Sequence, residues 1–201
     1  MRQTLWICGI AFLLFTGLSG CSSISAPEST PTSAPWKERL TSLSRIQDWN
    51  VNGKIAVQTT NDSGSATIDW AQRNSRFNIA LSAPLGAGGL TLTGQPGLVT
   101  LIMSDGKRYT AKSPEQLLAE RWGWQLPVSN LNYWIRGLPS PRSTYNGHFD
   151  MYNRLSSLEQ DGWSIQYLGY TNVGSIELPN RITMSSAALK TKVVIHHWRL
   201  G

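Results

Sequence analysis

Two sets of residues have side chains capable of acid–base or metal chemistry, but their spacing argues against both uses. His196 and His197 are adjacent, so on a strand they would point to opposite faces and could not bind one metal together. Ser65, Asp69 and His148 supply the residue types of a hydrolytic triad, but nothing around the serine resembles a nucleophile elbow. We therefore expect neither an enzyme nor a metal site, and no cofactor.

The residue whose context points most clearly to chemistry is Cys21. An apolar stretch over residues 5–18 follows a short positive N-terminus and ends in Leu-Ser-Gly-Cys at 18–21. The stretch is too short for a comfortable membrane span and suits a signal peptide. The motif matches the bacterial lipobox, whose cysteine becomes the acylated N-terminus of the mature lipoprotein. The alternative is an ordinary secretory signal with an incidental cysteine.

The composition divides the chain into three parts. Residues 1–20 are the expected signal peptide, 21–35 a Ser/Thr/Pro-rich tether and 36–201 a single domain with one core. The net charge is +6, and Arg2 is the only charged residue before Cys21. This modest positive charge favours anionic headgroups or an acidic partner, whereas the absence of basic runs argues against nucleic acid.

A glycine-rich connection at residues 83–89 presents one large apolar side chain, Leu85. The run at 86–89 lacks the Lys-Ser/Thr of a phosphate-binding loop. Alternating apolar residues on both sides predict two strands, so Leu85 lies at the tip of their connection. Two interpretations remain open: the leucine plugs the end of a barrel, or it is displayed to solvent.

Short alternating segments joined by tight turns predict an antiparallel meander, which is typical of a barrel or sandwich. An amphipathic helix is predicted over residues 36–46. Two further helices, over 113–122 and from about 129, need an apolar surface, and the concave face of the sheet is the expected one. The predicted strands cover residues 49–59, 65–72, 76–81, 90–93, 98–103, 107–111, 151–159, 163–170, 181–185 and 192–200. His148 falls in a predicted loop.

Several motifs in this order resemble the LolB family of outer-membrane lipoprotein receptors. Besides the lipobox and the tether, they are Ala-Pro-Leu-Gly at 83–86, Gln-Pro-Gly at 95–97, Gly-Lys-Arg-Tyr-Thr-Ala at 106–111 and Trp-Ile-Arg-Gly-Leu-Pro at 134–139. The resemblance runs from Cys21 to the end of the chain. It implies a mainly β fold with a few helices: an incomplete antiparallel β-barrel, or lipocalin-like half barrel, whose helices cover the apolar concave face.

The resemblance also implies a function. The receptor would accept acylated lipoproteins from the periplasmic carrier LolA into an apolar cavity and insert them into the outer membrane. It would itself be a monomer, held by lipid at Cys21 on the periplasmic face of that membrane, with Leu85 entering the bilayer. The expected acyl-chain-binding residues are Trp70, Trp134 and Trp163, which match the family's cavity tryptophans, together with the strand residues Ile79 and Leu92.

Other functions remain compatible with the sequence. A structural or assembly lipoprotein would use the outside of the barrel to bind a protein or cell-wall partner. A lipocalin-like binder of small molecules would differ in the size of its cavity. A continuous apolar cavity would favour lipoprotein transport, whereas a fully packed barrel would favour a scaffold.

Overall fold

The computed structural model describes residues 34–86 and 88–201. Three helices are present in this part: α1 (Ala34–Ser44), α2 (Pro114–Trp122) and α3 (Val128–Trp134). The strands are β1 (Asp48–Thr59), β2 (Ser63–Arg73), β3 (Arg76–Ser82), β4 (Gly89–Gln95), β5 (Leu98–Met103), β6 (Arg108–Ala111), β7 (Asn146–Phe149), β8 (Leu155–Gln160), β9 (Trp163–Val173), β10 (Ile176–Ser185) and β11 (Leu189–Leu200).

All eleven strands belong to one antiparallel sheet with the order β6-β5-β4-β3-β2-β1-β11-β10-β9-β8-β7. The pairing of β1 with β11 joins the two halves of the chain. Strands β6 and β7 are the free edges, so the barrel remains incomplete. The predicted half barrel with helices on its apolar face is confirmed.

Alternation along the strands determines which face is apolar. On β1, the alternate residues Trp49, Val51, Gly53 and Ile55 are buried, while the residues at the intervening positions are more exposed. On β2 the buried set is Ile68, Trp70 and Gln72. Each buried large apolar side chain contributes about 1.5–3 kcal/mol relative to an exposed one. The inward rows therefore fix the strand register, because a shift of one residue would expose them all.

The helices lie against this inward face. Leu117 of α2 and Leu131 of α3 belong to the same buried core as the inward residues of the sheet. The predicted start of α2 is confirmed, since Ser113 Oγ accepts a hydrogen bond of 3.2 Å from the backbone N–H of Gln116. The helix ends at Gly123, which has a φ of 68°. None of the helices in the described residues is long and apolar enough to cross a membrane.

A β-bulge between β1 and β11 changes the expected arrangement of the two histidines. Asn52 pairs with His197 and Gly53 with Ile195, so His196 is the extra residue. Both histidines are exposed, instead of lying on opposite faces as strict alternation would require. Gly53 is needed here because a Cβ atom would collide with the carbonyl oxygen of Val194.

The region before β8 differs from the sequence prediction in two ways. His148 lies on β7 and not in a loop. The predicted strand at 151–159 begins only at Leu155, since the preceding residues form a turn. Its backbone is set by the carboxylate of Asp150, which accepts hydrogen bonds from the N–H groups of Tyr152 and Arg154 at 2.9 and 3.0 Å. Such side-chain bonds compete with strand pairing.

Candidate functional site

An apolar cavity of about 430 Å³ lies between the sheet and helices α2 and α3. Its size falls within the range of small-molecule pockets. Inward side chains of neighbouring strands form its floor and the helices form its roof. The large apolar side chains of the lining are Ile55, Val57, Ile68, Trp70, Ile79, Leu81, Leu90, Leu92, Met103, Leu118, Trp122, Trp124, Leu126, Val128 and Leu131.

Three of the predicted acyl-chain-binding residues are direct neighbours in this floor. Trp70 of β2 pairs with Ile79 of β3, and Ile79 pairs with Leu92 of β4. All three are buried and line the cavity. Cross-strand neighbours of this kind lie about 4.5–5.5 Å apart at Cβ, so they form a continuous apolar row under any ligand.

Trp70 also separates the cavity from a second, polar space. The residue belongs to the lining of the apolar cavity and to that of an open cleft of about 880 Å³ whose lining includes many polar side chains. The ring is fixed by a hydrogen bond of 3.1 Å from Nε1 to Oε1 of Gln72. In turn, Gln72 Nε2 donates to the carbonyl oxygen of Asn74 at 2.6 Å. The Gln72 amide therefore provides a hydrogen-bond acceptor for the Trp70 indole at the edge of the apolar lining.

Arg136 closes the polar cleft on the side of α1. Its guanidinium is buried and donates to the carbonyl oxygens of Leu43, Ile46 and Asn132. The first two acceptors lie at the C-terminal end of α1, where a cation is favourable. Burial lowers the pKa of Arg136 from its usual value. We interpret this residue as a structural link between α3 and α1.

The apolar cavity extends to the end of the sheet where β3 runs into β4, which we name the Leu85 end and interpret as the mouth of the cavity. Ala83, Gly88 and Gly89 of this connection line the cavity, as does Ser104 of the neighbouring β5–β6 turn. Leu85 lies between them, at the centre of the tight turn Pro84–Gly86. The loop that carries Leu85 is therefore part of the rim of the cavity.

Leu85 is displayed to solvent and does not plug the barrel. Its side chain is 106% exposed, and its backbone has φ 56° and ψ 24°. This left-handed conformation costs a non-glycine residue about 1–2 kcal/mol. The chain thus places a large apolar side chain in water on a strained backbone. Backbone strain of this kind is typical of functional positions.

Two further tryptophans line the mouth, and the sequence analysis did not assign them to the site. Trp122 and Trp124 flank Gly123 at the end of α2, are only partly buried, and have ring centroids 5.8 Å apart. In the sequence, the pattern that could have pointed to them is a tryptophan on each side of the glycine that ends the helix. Since the glycine turns the chain after the helix, both rings can lie at the same rim.

Trp134 and Trp163 have a different position. Both are buried in the same core as Trp70, but neither lines the cavity. The Nε1 group of Trp134 donates to Gln160 Oε1 at 2.9 Å, and its ring lies 6.1 Å from that of Trp163. In this structure the two tryptophans pack the other half of the barrel.

The residue sets considered for catalysis are not brought together. Asp69 accepts a hydrogen bond of 2.7 Å from Asn52. Ser65 and Asp69 lie on β2 and His148 on β7, with five strands between them in the sheet. Within residues 34–86 and 88–201, no group of three or more His, Cys, Asp or Glu side chains could hold a metal. Cys21, the signal segment and most of the tether lie outside the described residues.

Comparisons with known proteins agree with this geometry. Residues 47–198 match the family described as "Outer membrane lipoprotein LolB". A relative from Pseudomonas syringae pv. syringae, named outer-membrane lipoprotein LolB, is 43% identical over 186 residues, which cover 92% of this chain and 91% of the relative. A relative of the same name from Coxiella burnetii is 39% identical over 185 residues, covering 90% and 88%.

Solved structures with little sequence identity share the fold. A LolA superfamily protein from Nitrosomonas europaea has a TM-score of 0.55 at 11% identity, covering 82% of this chain and 93% of that protein. A putative outer membrane lipoprotein-sorting protein domain from Vibrio parahaemolyticus has a TM-score of 0.54 at 9% identity, covering 83% and 90%.

Proposed function

The chain belongs to the LolB family of outer membrane lipoproteins, and on that premise we propose that it receives acylated lipoproteins and inserts them into the outer membrane. Cargo arrives on a LolA-type periplasmic carrier. Its acyl chains enter the apolar cavity and then pass into the bilayer at the Leu85 end. The chain itself is held on the periplasmic face of the membrane by lipid on Cys21.

The observation that carries this proposal is the position of Leu85 on the rim of the cavity. Leu85 is fully exposed, and the residues that flank its loop line the cavity. Burying one leucine in a bilayer is worth about 1.5–3 kcal/mol, which is enough to bias contact but too little to anchor the domain. Such a tip brings the mouth to the bilayer reversibly, as a protein that delivers cargo repeatedly requires.

The energetics of acyl chains explain why a cavity is needed. Moving a lipid chain into water costs about 0.8 kcal/mol per methylene, so three chains cost roughly 30 kcal/mol. Passage from one apolar cavity to another, and then into a bilayer, avoids this cost. Neither nucleotide hydrolysis nor covalent chemistry is needed, provided that affinity rises from carrier to receptor to membrane.

A structural lipoprotein without transport activity would need only the outside of the barrel. The inward-facing cavity beneath α2 and α3 favours transport over this alternative. An unfilled apolar space lowers stability in proportion to its volume. A scaffold would gain by filling it, whereas an acyl-chain receptor requires it.

The proposal is tested by cargo transfer to a soluble form of the protein. Cys21→Ala, expressed with a cleavable secretory signal, removes the lipid but leaves the cavity intact. A radiolabelled lipoprotein bound to purified LolA should move to this form when the two are mixed, and carrier without cargo is the blank. If all the label stays on the carrier, the receptor function is wrong.

A further inference from the structure

A second exposed apolar tip lies in the turn between β7 and β8. Met151 is 85% exposed and Tyr152 is 62% exposed. The turn is ordered by its own hydrogen bonds, since the Asp150 carboxylate accepts from the N–H groups of Tyr152 and Arg154. The Arg154 guanidinium lies 4.7 Å from the centroid of the Tyr152 ring. The two apolar side chains are therefore presented on a fixed turn.

This turn lies at the end of the sheet opposite Leu85. Successive strands from β3 to β8 in the sheet are antiparallel, so β3 and β8 run in the same direction. Leu85 follows the last residue of β3, whereas the turn precedes the first residue of β8. An exposed apolar tip is thus found at each end of the domain.

The chain enters the domain beside the second tip. Near the start of α1, the ring of Trp36 lies 4.7 Å from that of Phe149, the last residue of β7. In the middle of the helix, Arg39 donates a hydrogen bond of 2.6 Å to the carbonyl oxygen of Glu177. The carboxylate of Glu177 lies 2.7 Å from the Arg154 guanidinium. Arg39 and Arg154 also lie over the same ring, that of Tyr170, at 5.7 and 4.5 Å from its centroid. The turn and the part of α1 up to Arg39 are therefore neighbours.

The length of chain before α1 limits how far the domain can lie from an anchor at Cys21. Ala34 is 13 residues after Cys21. A random coil of that length spans about 20 Å on average and at most about 45 Å when fully extended. Strand β1, with 12 residues, is itself about 40 Å long. An anchor at Cys21 thus favours the Met151 end near the membrane, and bringing Leu85 to the bilayer requires an extended tether.

We propose that Met151 and Tyr152 form a second membrane contact, which docks on phospholipid while the Leu85 end faces the periplasm. The domain then alternates between a receiving orientation, with the cavity mouth open to the carrier, and a delivering orientation, with Leu85 in the bilayer. This inference depends on the proposed function for the anchor at Cys21 and for the direction of transfer. The two orientations explain how a single cavity mouth can face the carrier in the periplasm and, at another time, the outer membrane.

The chemistry of the tip suits a lipid interface. Methionine supplies a flexible apolar side chain, and tyrosine is enriched at the headgroup level of membranes. The nearby carboxylates of Asp150 and Glu177 are both paired with Arg154, so they repel anionic lipid less than free carboxylates would. A protein partner at this tip is the competing outcome of the test.

The docking test uses a fluorescent label on the acylated, cargo-free protein. Cys8 and Cys21 are the only cysteines in the sequence; the first is lost with the signal and the second is blocked by lipid, which a mass measurement verifies. Met151→Cys therefore carries one reactive thiol for a bimane label. Leu168→Cys is the matched control, because Leu168 is another exposed apolar residue, at 56% exposure, on β9.

Protein is reconstituted in phosphatidylethanolamine–phosphatidylglycerol liposomes that contain a headgroup nitroxide lipid. Label at 151 should lose much more fluorescence than label at 168. Adding Tyr152→Asp to the labelled protein should lower docking by about tenfold, the order expected for losing one apolar contact. Equal quenching at 151 and 168 would overturn the proposal and point to a protein partner.

A second experiment separates this proposal from the receptor function. Met151→Asp combined with Tyr152→Asp should slow uptake of cargo from LolA by the anchored protein and leave uptake by the soluble Cys21→Ala form unchanged. Deleting residues 24–31 should keep Leu85 from the bilayer and abolish delivery, while label at 151 stays quenched. Equal uptake by the anchored parent and the anchored double variant would contradict alternating orientations, whereas failure of the soluble parent would contradict the receptor function itself.

Discussion

The indole of Trp70 and the amide of Gln72 are joined by a hydrogen bond of 3.1 Å on the inward face of β2. Because residues two apart on a strand share a face, this pair spans the boundary between apolar and polar space. Trp70 lines both the apolar cavity and the open cleft, whereas Gln72 lines only the cleft. We therefore expect this pair to mark the inner limit of an acyl chain in the cavity.

The buried tryptophans should differ in function. Trp134→Phe and Trp70→Phe each remove an indole hydrogen bond and some volume, so each should lower the free energy of unfolding by about 1–3 kcal/mol. Only Trp70→Phe should change cargo uptake per folded molecule, because Trp134 does not line the cavity. Denaturant unfolding and transfer assays on both variants provide the measurement. Equal loss of uptake in both would contradict this division.

Filling the cavity should block reception. Leu90 lines the cavity and is only partly buried, so Leu90→Trp can place its ring in the empty space with little strain. We expect cargo uptake to fall severalfold while the melting temperature changes little. The matched control is Leu98→Trp, which alters an exposed leucine on the adjacent strand β5. Unchanged uptake in Leu90→Trp would mean that the acyl chains bind elsewhere.

Because the backbone at Leu85 is left-handed, one substitution at this position should raise the stability of the protein and lower its delivery of cargo. Asparagine tolerates the left-handed region better than leucine does. Leu85→Asn should therefore raise the free energy of unfolding by up to about 1 kcal/mol. Delivery to liposomes should fall, since the amide resists leaving water. A variant that is both less stable and fully active would disprove the interpretation of Leu85 as a strained insertion tip.

Two buried phenols predict how stability depends on alkaline pH. Tyr167 donates to the carbonyl oxygen of Trp134 at 3.0 Å and Tyr170 to that of Leu155 at 2.6 Å. Burial raises the pKa of both hydroxyls above the ordinary value of 10.0. Since the unfolded chain releases these protons first, stability should be constant below about pH 10 and fall above it.

The measurement is phenolate absorbance followed together with circular dichroism. The chain has six tyrosines, and two of them should titrate only as the fold is lost. Tyr170→Phe should reduce that delayed step by one tyrosine. Titration of all six near pH 10 with the fold intact would contradict the buried hydrogen bonds.

Alternation was sufficient to predict most of the sheet from the sequence. The strands at 49–59 and 65–72 follow inward rows such as Ile68 and Trp70, whose burial outweighs local preferences. The prediction failed near Met151 and Tyr152, because two large apolar residues resemble the start of a strand. Their backbone is instead set by the carboxylate of Asp150, and such a side-chain turn has no periodic signal.

The candidate site was only partly predictable. Trp70 was expected from the family resemblance, and Ile79 and Leu92 lie at alternating positions of predicted strands; the structure places all three in one row. The separation of Trp134 from the cavity depends on its long-range bond to Gln160, 26 residues away. No local pattern encodes such a contact. The exposure of Leu85 could not be decided from the sequence, since its glycine-flanked loop permitted both a buried and a displayed leucine.

The most direct test of the account uses Leu85→Glu, with cargo measured at two stages. Because the side chain is fully exposed and the cavity walls are unchanged, the variant should fold normally and take cargo from LolA as the parent does. Its carboxylate resists transfer out of water, so cargo should stay on the receptor and fail to reach liposomes. Delivery equal to that of the parent would show that Leu85 is not the insertion device and would contradict the account.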